Sequence, residues 1–186
     1  MESGSVLAPL TFTVIGMTAQ LAFRRADTGD LGVLVSLYDE AARWMVDRGI
    51  DQWKPGQKDA DHFRLRMEEG EVWIAALADG TVAGAFELWW EDEAAWGAQP
   101  PVAGYVHRLM VRRGAPAGTG TELLARAERR IAETGRSLCR LDCVATNPRL
   151  RAYYEGRGYT VVGEQPFKSG AGGSSYGVTL LEKPLG

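Results

Sequence analysis

The chain is 186 residues long, with 21 Lys and Arg against 24 Asp and Glu and a formal net charge of −3. Such a length makes one compact domain with a full core, and the weakly acidic balance carries no global basic signature for nucleic acid. With 45% hydrophobic and 24% charged residues, the composition excludes both wholesale disorder and a membrane-embedded chain.

Residues 6–15 are apolar, but the run is short, holds Pro9 and follows Glu2, where a secretory leader carries positive charge. Residues 1–16 are read as an N-terminal tail of unassigned role, with Met17 just before the patterned sequence, and 17–186 as a single domain. Residues 21–24 read as a short strand. A helix follows over 30–48, its apolar Leu31, Leu34, Val35, Tyr38, Ala41, Ala42 and Met45 at i, i+3, i+4, i+7 spacing, and Gly49 stops it. A loop bearing Trp53 leads to a second helix over 59–69, ended by Gly70. Residues 72–77 and 82–90 read as two strands joined by Ala78-Asp79-Gly80-Thr81, because Asp-Gly is a strong hairpin signal. An acidic, small-residue loop at 91–101 precedes a strand at 103–111.

The loop 112–120 then opens a helix reaching Thr134, whose Leu123, Leu124, Ala127 and Ile131 share one face. A strand at 137–144, a helix at 149–157, a strand at 159–165, a glycine- and serine-rich loop at 169–175 and a last strand at 176–181 complete the chain. Helices interspersed with strands, without repeat or linker, make an α/β layered domain with a mixed sheet.

Cys139 and Cys143 lie four residues apart in one strand, about 13 Å between Cα atoms at about 3.3 Å per residue, beyond the ~7 Å a disulfide bridges. Two cysteines and the distant His62 and His107 make no zinc set, so no metal is expected. Reduced thiols without an export signal fit the cytoplasm, with no membrane and no nucleic acid as partners.

Glycine is in excess, 23 residues of 186 against roughly 7% in average usage, which asks where backbone must approach closely. The segment Val106-His107-Arg108-Leu109-Met110-Val111-Arg112-Arg113-Gly114-Ala115-Pro116-Ala117-Gly118-Thr119-Gly120-Thr121 is one answer. A strand feeds a glycine loop and a helix N-terminus, where free N–H groups and the positive end of the helix dipole suit a phosphate. The same glycines also suit a plain tight turn. No Gly-Lys-Ser/Thr follows, as a Walker loop needs, and Leu123 stands where a dinucleotide fingerprint needs glycine. A second cluster, Asn147-Pro148-Arg149-Leu150-Arg151-Ala152-Tyr153-Tyr154-Glu155 with Gly158-Tyr159, sits at the end of the next strand. Asn147 reads there either as a ligand contact or as a helix cap.

Together these two segments, over about residues 103–160, resemble the GCN5-related N-acetyltransferase (GNAT) superfamily. The resemblance implies a central mixed sheet of about seven strands flanked by about four helices, with splayed strands holding acetyl-CoA. It also implies transfer of an acetyl group to the primary amine of a small molecule, such as an amino acid, a polyamine or an amine-bearing natural product. Leu109, Met110, Val111, Arg112, Arg113, Ala117, Gly118, Thr119, Gly120, Thr121, Asn147 and Tyr154 would then hold the cofactor. The Val111 N–H would face the thioester oxygen, the amides from Ala117 to Thr121 the pyrophosphate, and Asn147 the pantetheine arm. One departure stands out. Family loops usually read Gln/Arg-x-x-Gly-x-Gly/Ala, whereas the first position here is Ala115 and Pro116 supplies no N–H; Arg112 and Arg113 could replace the missing charge.

An alkyl amine is mostly protonated at neutral pH, and freeing it costs about 4.6 kcal/mol, so a base is needed, directly or through water. His107, four residues before Val111, suits that task. Glu87 is the competitor: it interrupts the apolar run 82–90, and a carboxylate in a central strand needs a partner. Pairing with Arg108, orienting His107 and binding the substrate ammonium are all open to it. Tyr154 would protonate the leaving thiolate, its phenol lying near a thiol in pKa, while Tyr153 packs in the core. Trp53, Trp89 and Glu87 are the expected acceptor contacts, with the acidic 91–93 loop nearby. A protein or peptide N-terminal acetyltransferase and a non-catalytic acyl-CoA sensor are the alternatives. Members of the family are often homodimers, though no residue here specifies an interface.

Overall fold

The computed structural model describes residues 20–169 and 175–186; the tail 1–16 and residues 170–174 of the glycine/serine loop lie outside the described residues. Seven strands form one sheet, β1 (Ala22–Arg25), β2 (Glu71–Ala76), β3 (Val82–Trp89), β4 (Ala103–Val111), β5 (Leu138–Val144), β6 (Thr160–Ser169) and β7 (Ser175–Pro184), in the order β1-β2-β3-β4-β5-β7-β6. Every pairing is antiparallel except β4 with β5. The helices are α1 (Leu31–Asp47), α2 (Ala60–Glu69), α3 (Glu93–Trp96), α4 (Thr119–Glu133) and α5 (Pro148–Glu155), with a 3-10 turn at Thr28–Asp30 ahead of α1.

Two cores lie on opposite faces of the sheet. Leu34, Leu37, Tyr38 and Ala42 of α1 and Phe63 of α2 pack on Val72, Ile74, Ala85 and Met110. On the other face, Leu123, Leu124, Ala127 and Ile131 of α4, the stripe expected from the sequence, pack on Trp73, Phe86, Leu88, Val106 and Leu141. Helices on both faces explain why β2 and β3 are apolar along their length rather than alternating. The one-turn α3 is an element that sequence reading takes as loop. Asp92 caps it through the Ala95 N–H, a local signal in a run too short for periodicity. Both cysteines are free and buried, as their spacing requires. Among the described residues no helix is long and apolar enough to cross a membrane.

Strand β4 is irregular at two places. Its pairing with β5 covers only Ala103, Gly104 and Tyr105 against Leu138, Cys139 and Arg140, so the two strands part beyond them. Against β3 the register jumps from Ala85↔Met110 to Glu87↔His107, which gives β4 one extra residue. Arg108 sits in that bulge with φ 45, the one non-glycine residue at positive φ among those described. Such a conformation costs energy outside glycine, and a bulge re-aims side chains that strict alternation would separate.

Candidate active site

The open side of β4 is where main-chain donors collect. The Arg112 N–H donates to Ala83 O on β3; in an extended strand the preceding N–H, that of Val111, points the other way, into the gap toward β5. Beyond Val111 the loop turns into α4, with Gly118 as its N-cap at φ 89, a left-handed conformation that L side chains rarely adopt. A Cβ on Gly120 would lie 3.2 Å from Tyr153 Oη and 3.4 Å from Val111 Cγ2, so glycine there lets the helix terminus pack close to both side chains. Of the amides from Ala117 to Thr121, those of Thr119 and Thr121 already donate to Pro116 O and Gly118 O. Those of Ala117, Gly118 and Gly120 make no such bond among the described residues, and they are the donors an anion would meet. Thr119 is buried, with its hydroxyl on Pro116 O.

The arginines divide differently from the sequence reading. Arg112 Nε donates to Val82 O at 2.6 Å, and Arg113 lies over Trp44 and donates to Val111 O. Arg157 instead stands at the α4 terminus, donating to Thr121 Oγ1 at 2.8 Å and lying 3.5 Å over the Tyr153 ring. Tyr153 therefore faces the loop rather than the core. Met110 is buried under α1, and its main-chain oxygen lies against Gly84 of β3 rather than in the gap. Asn147 caps α5, its Oδ1 accepting from the Leu150 N–H. That contact engages Oδ1 and not Nδ2.

A cavity of about 320 Å³ opens beside the gap. Val106, His107, Arg108 and Leu109 all line it; a regular strand would turn alternate members away, and the bulge accounts for their convergence. Trp53, stacked on Tyr38 at 5.1 Å, and Trp89, stacked on His107 at 3.9 Å, form walls, as expected for an acceptor pocket. Tyr154 also reaches the cavity, and burial pushes its phenol well above the ordinary range.

Of the roles open to Glu87, the structure shows the ion pair with Arg108. It is 0% exposed and absent from the cavity wall. Arg108 Nη1 donates to its Oε2 at 2.6 Å, Trp89 Nε1 donates to the same oxygen at 3.0 Å, and His62 Nε2 lies 3.0 Å from its Oε1. Burial alone would raise this carboxyl, but the Arg108 charge and the His62 hydrogen bond outweigh it and hold the group down to about 2. Pairing with Arg108, one of the three roles open to this carboxylate, is the one found.

His107 instead has two partners that sequence reading missed. Asp92 Oδ2 lies 3.2 Å from its Nε2, within ion-pair distance though without hydrogen-bond alignment. One ligating atom each of Asp92, His107 and Asp142 fall within 4.8 Å of one another. Of the acidic loop 91–93 only Asp92 is buried; Glu91 and Glu93 are exposed. Asp142 interrupts the apolar strand β5 as Glu87 interrupts β3, which was the available signal. Lys58, also on the cavity wall, gave none.

The comparisons with known proteins agree with this geometry. The model of the acetyltransferase (GNAT) family matches residues 34–159. The "uncharacterized N-acetyltransferase YesJ" of Bacillus subtilis (strain 168) is 32% identical over 143 residues, 72% of this chain and 78% of that one. Among solved structures, a GNAT-family acetyltransferase from Listeria monocytogenes 4b F2365 superposes with TM-score 0.72 at 26% identity, covering 89% of this chain and 95% of the other. The yncA protein of Salmonella typhimurium, solved with its cofactor acetyl-CoA, reaches TM-score 0.64 at 16% identity over 90% and 95%.

Proposed function

This chain belongs to the acetyltransferase (GNAT) family and is an N-acetyltransferase, and we propose that it passes the acetyl group of acetyl-CoA directly to the primary amine of a small molecule. The observation that carries this is the gap where β4 and β5 part beyond Tyr105, with the cavity holding His107 opening beside it. The structurally similar yncA protein was solved with acetyl-CoA, and the N–H groups at the start of α4 suit the pyrophosphate end of that molecule.

Acetyl-CoA, when bound, supplies the thioester whose carbon the amine attacks, giving an amide and the free thiol. His107 takes the proton that the ammonium must lose, with the Asp92 and Asp142 carboxylates beside the imidazole where positive charge develops. The Val111 N–H donates to the oxygen on which negative charge builds. Tyr154 donates its hydroxyl hydrogen to the departing sulfur. Burial raises its phenol, so the hydroxyl holds its proton at neutral pH and has it to give when the sulfur departs. A cavity of about 320 Å³ is at the low end of small-molecule sites, which favours a small acceptor over a peptide N-terminus.

Thiol release from acetyl-CoA, followed with a panel of amines and repeated with His107→Ala and Tyr154→Phe, tests this. Turnover with a small amine, much reduced in both variants, is expected. Coenzyme A binding without turnover on any amine would overturn it in favour of a sensor.

A further inference from the structure

The cavity wall carries charge of both signs, and the two signs are segregated. Asp92, His107 and Asp142 cluster on the side of α3 and β5. Lys58, on the loop between α1 and α2, and Arg108, turned toward β3 by the bulge, lie on the other side. Arg108 is already matched by Glu87. Lys58 is half-buried and forms no ion pair with a carboxylate among the described residues.

A half-buried ammonium beside a second cation, with the Glu87 and Asp59 carboxylates acting on it only from beyond ion-pair distance, is an unfavourable arrangement for the empty pocket. Burial, and then the neighbouring Arg108, lower the pKa of Lys58. An anion at that place would relieve both penalties. An amine without an acidic group would leave them unrelieved.

We infer that the acceptor is an amino acid or a close analogue, an amine carrying an oxyanion a few bonds away: Lys58 and Arg108 hold the anionic group, and the ammonium lies toward His107. Trp53 and Trp89 then enclose the side chain, and an apolar one fits them best. This rests on the acetyltransferase reading and adds the substrate class to it. Of the three acceptor classes named from sequence it selects the first: of the acidic loop only Asp92 is buried at the cavity, while Lys58 and Arg108 also line it.

The test compares three acceptors that differ in one group: L-phenylalanine, L-phenylalaninamide and phenethylamine, with L-methionine as a second amino acid and spermidine as a polycation. Thiol release from acetyl-CoA is followed with the wild-type chain and with Lys58→Met, and calorimetry with coenzyme A verifies that the variant is folded. The wild type should favour the amino acids over the amide and the amine by roughly tenfold or more in kcat/KM, the range of one charge-assisted contact. In Lys58→Met that ratio should collapse, through KM for the amino acids. Preference for phenethylamine, the amide or spermidine, or a ratio that survives Lys58→Met, overturns the inference and leaves the acetyltransferase reading standing. No turnover with any acceptor while coenzyme A binds overturns both.

Discussion

Arg108 and Glu87 form a 2.6 Å ion pair between a left-handed bulge residue of β4 and the middle of β3. The strained Arg108 backbone and the buried carboxylate are thus held by the same contact, which also sets the wall carrying His107. Removing charge from one partner leaves the other uncompensated. Glu87→Gln should therefore lower unfolding free energy by about 3 kcal/mol, read as a shift of the urea midpoint.

The same pair predicts an acid limit. The folded carboxyl of Glu87 is held to about 2, against an ordinary 4.5. A lowered folded pKa stabilises the protein above the unfolded value, and that contribution is lost as pH falls from about 4.5 toward 2. Its size is on the order of 3 kcal/mol. Urea titrations between pH 6 and 3 should show stability declining, and the decline should be shallower in Glu87→Gln. Equal slopes in both proteins would show that Glu87 does not carry the effect.

In the proposed mechanism Asp92 acts through His107 rather than on substrate, which makes it a positioning residue. Asp92→Asn retains an oxygen for the Ala95 N–H and hence the α3 cap. It should lower kcat roughly 10- to 100-fold while KM for acetyl-CoA stays within about twofold, and His107→Ala should lose roughly 100-fold or more. A merely structural Asp92 would change both constants or neither. Because the cluster with Asp142 is assigned to proton transfer, turnover should be unchanged by EDTA.

The α4 terminus carries Arg157 on Thr121 Oγ1, although a cation is disfavoured at the positive end of a helix. A pyrophosphate bound there reverses the balance. Arg157→Ala should weaken coenzyme A binding by roughly tenfold without lowering the stability of the ligand-free protein, and Gly120→Ala should weaken binding by pushing the helix terminus away from Tyr153 and Val111. Calorimetry and thermal melts with and without coenzyme A distinguish the two effects.

Much of this molecule is local physics. Apolar spacing in 31–45 and 123–131, the Asp-Gly turn at 79–80 and the glycines at 118 and 120 each act within a few residues, so strands, helices and the glycine loop ahead of α4 were readable from the chain. The partners of His107 and Glu87 were not. Glu87 and His107 are direct cross-strand neighbours, yet the bulge at Arg108 sends the guanidinium to Glu87 and leaves the imidazole beside Asp92 and Asp142. An inserted residue in a strand leaves no mark on composition or period. Only the register of β3 against β4, settled when distant segments pack on both faces of the sheet, decides which charge meets which.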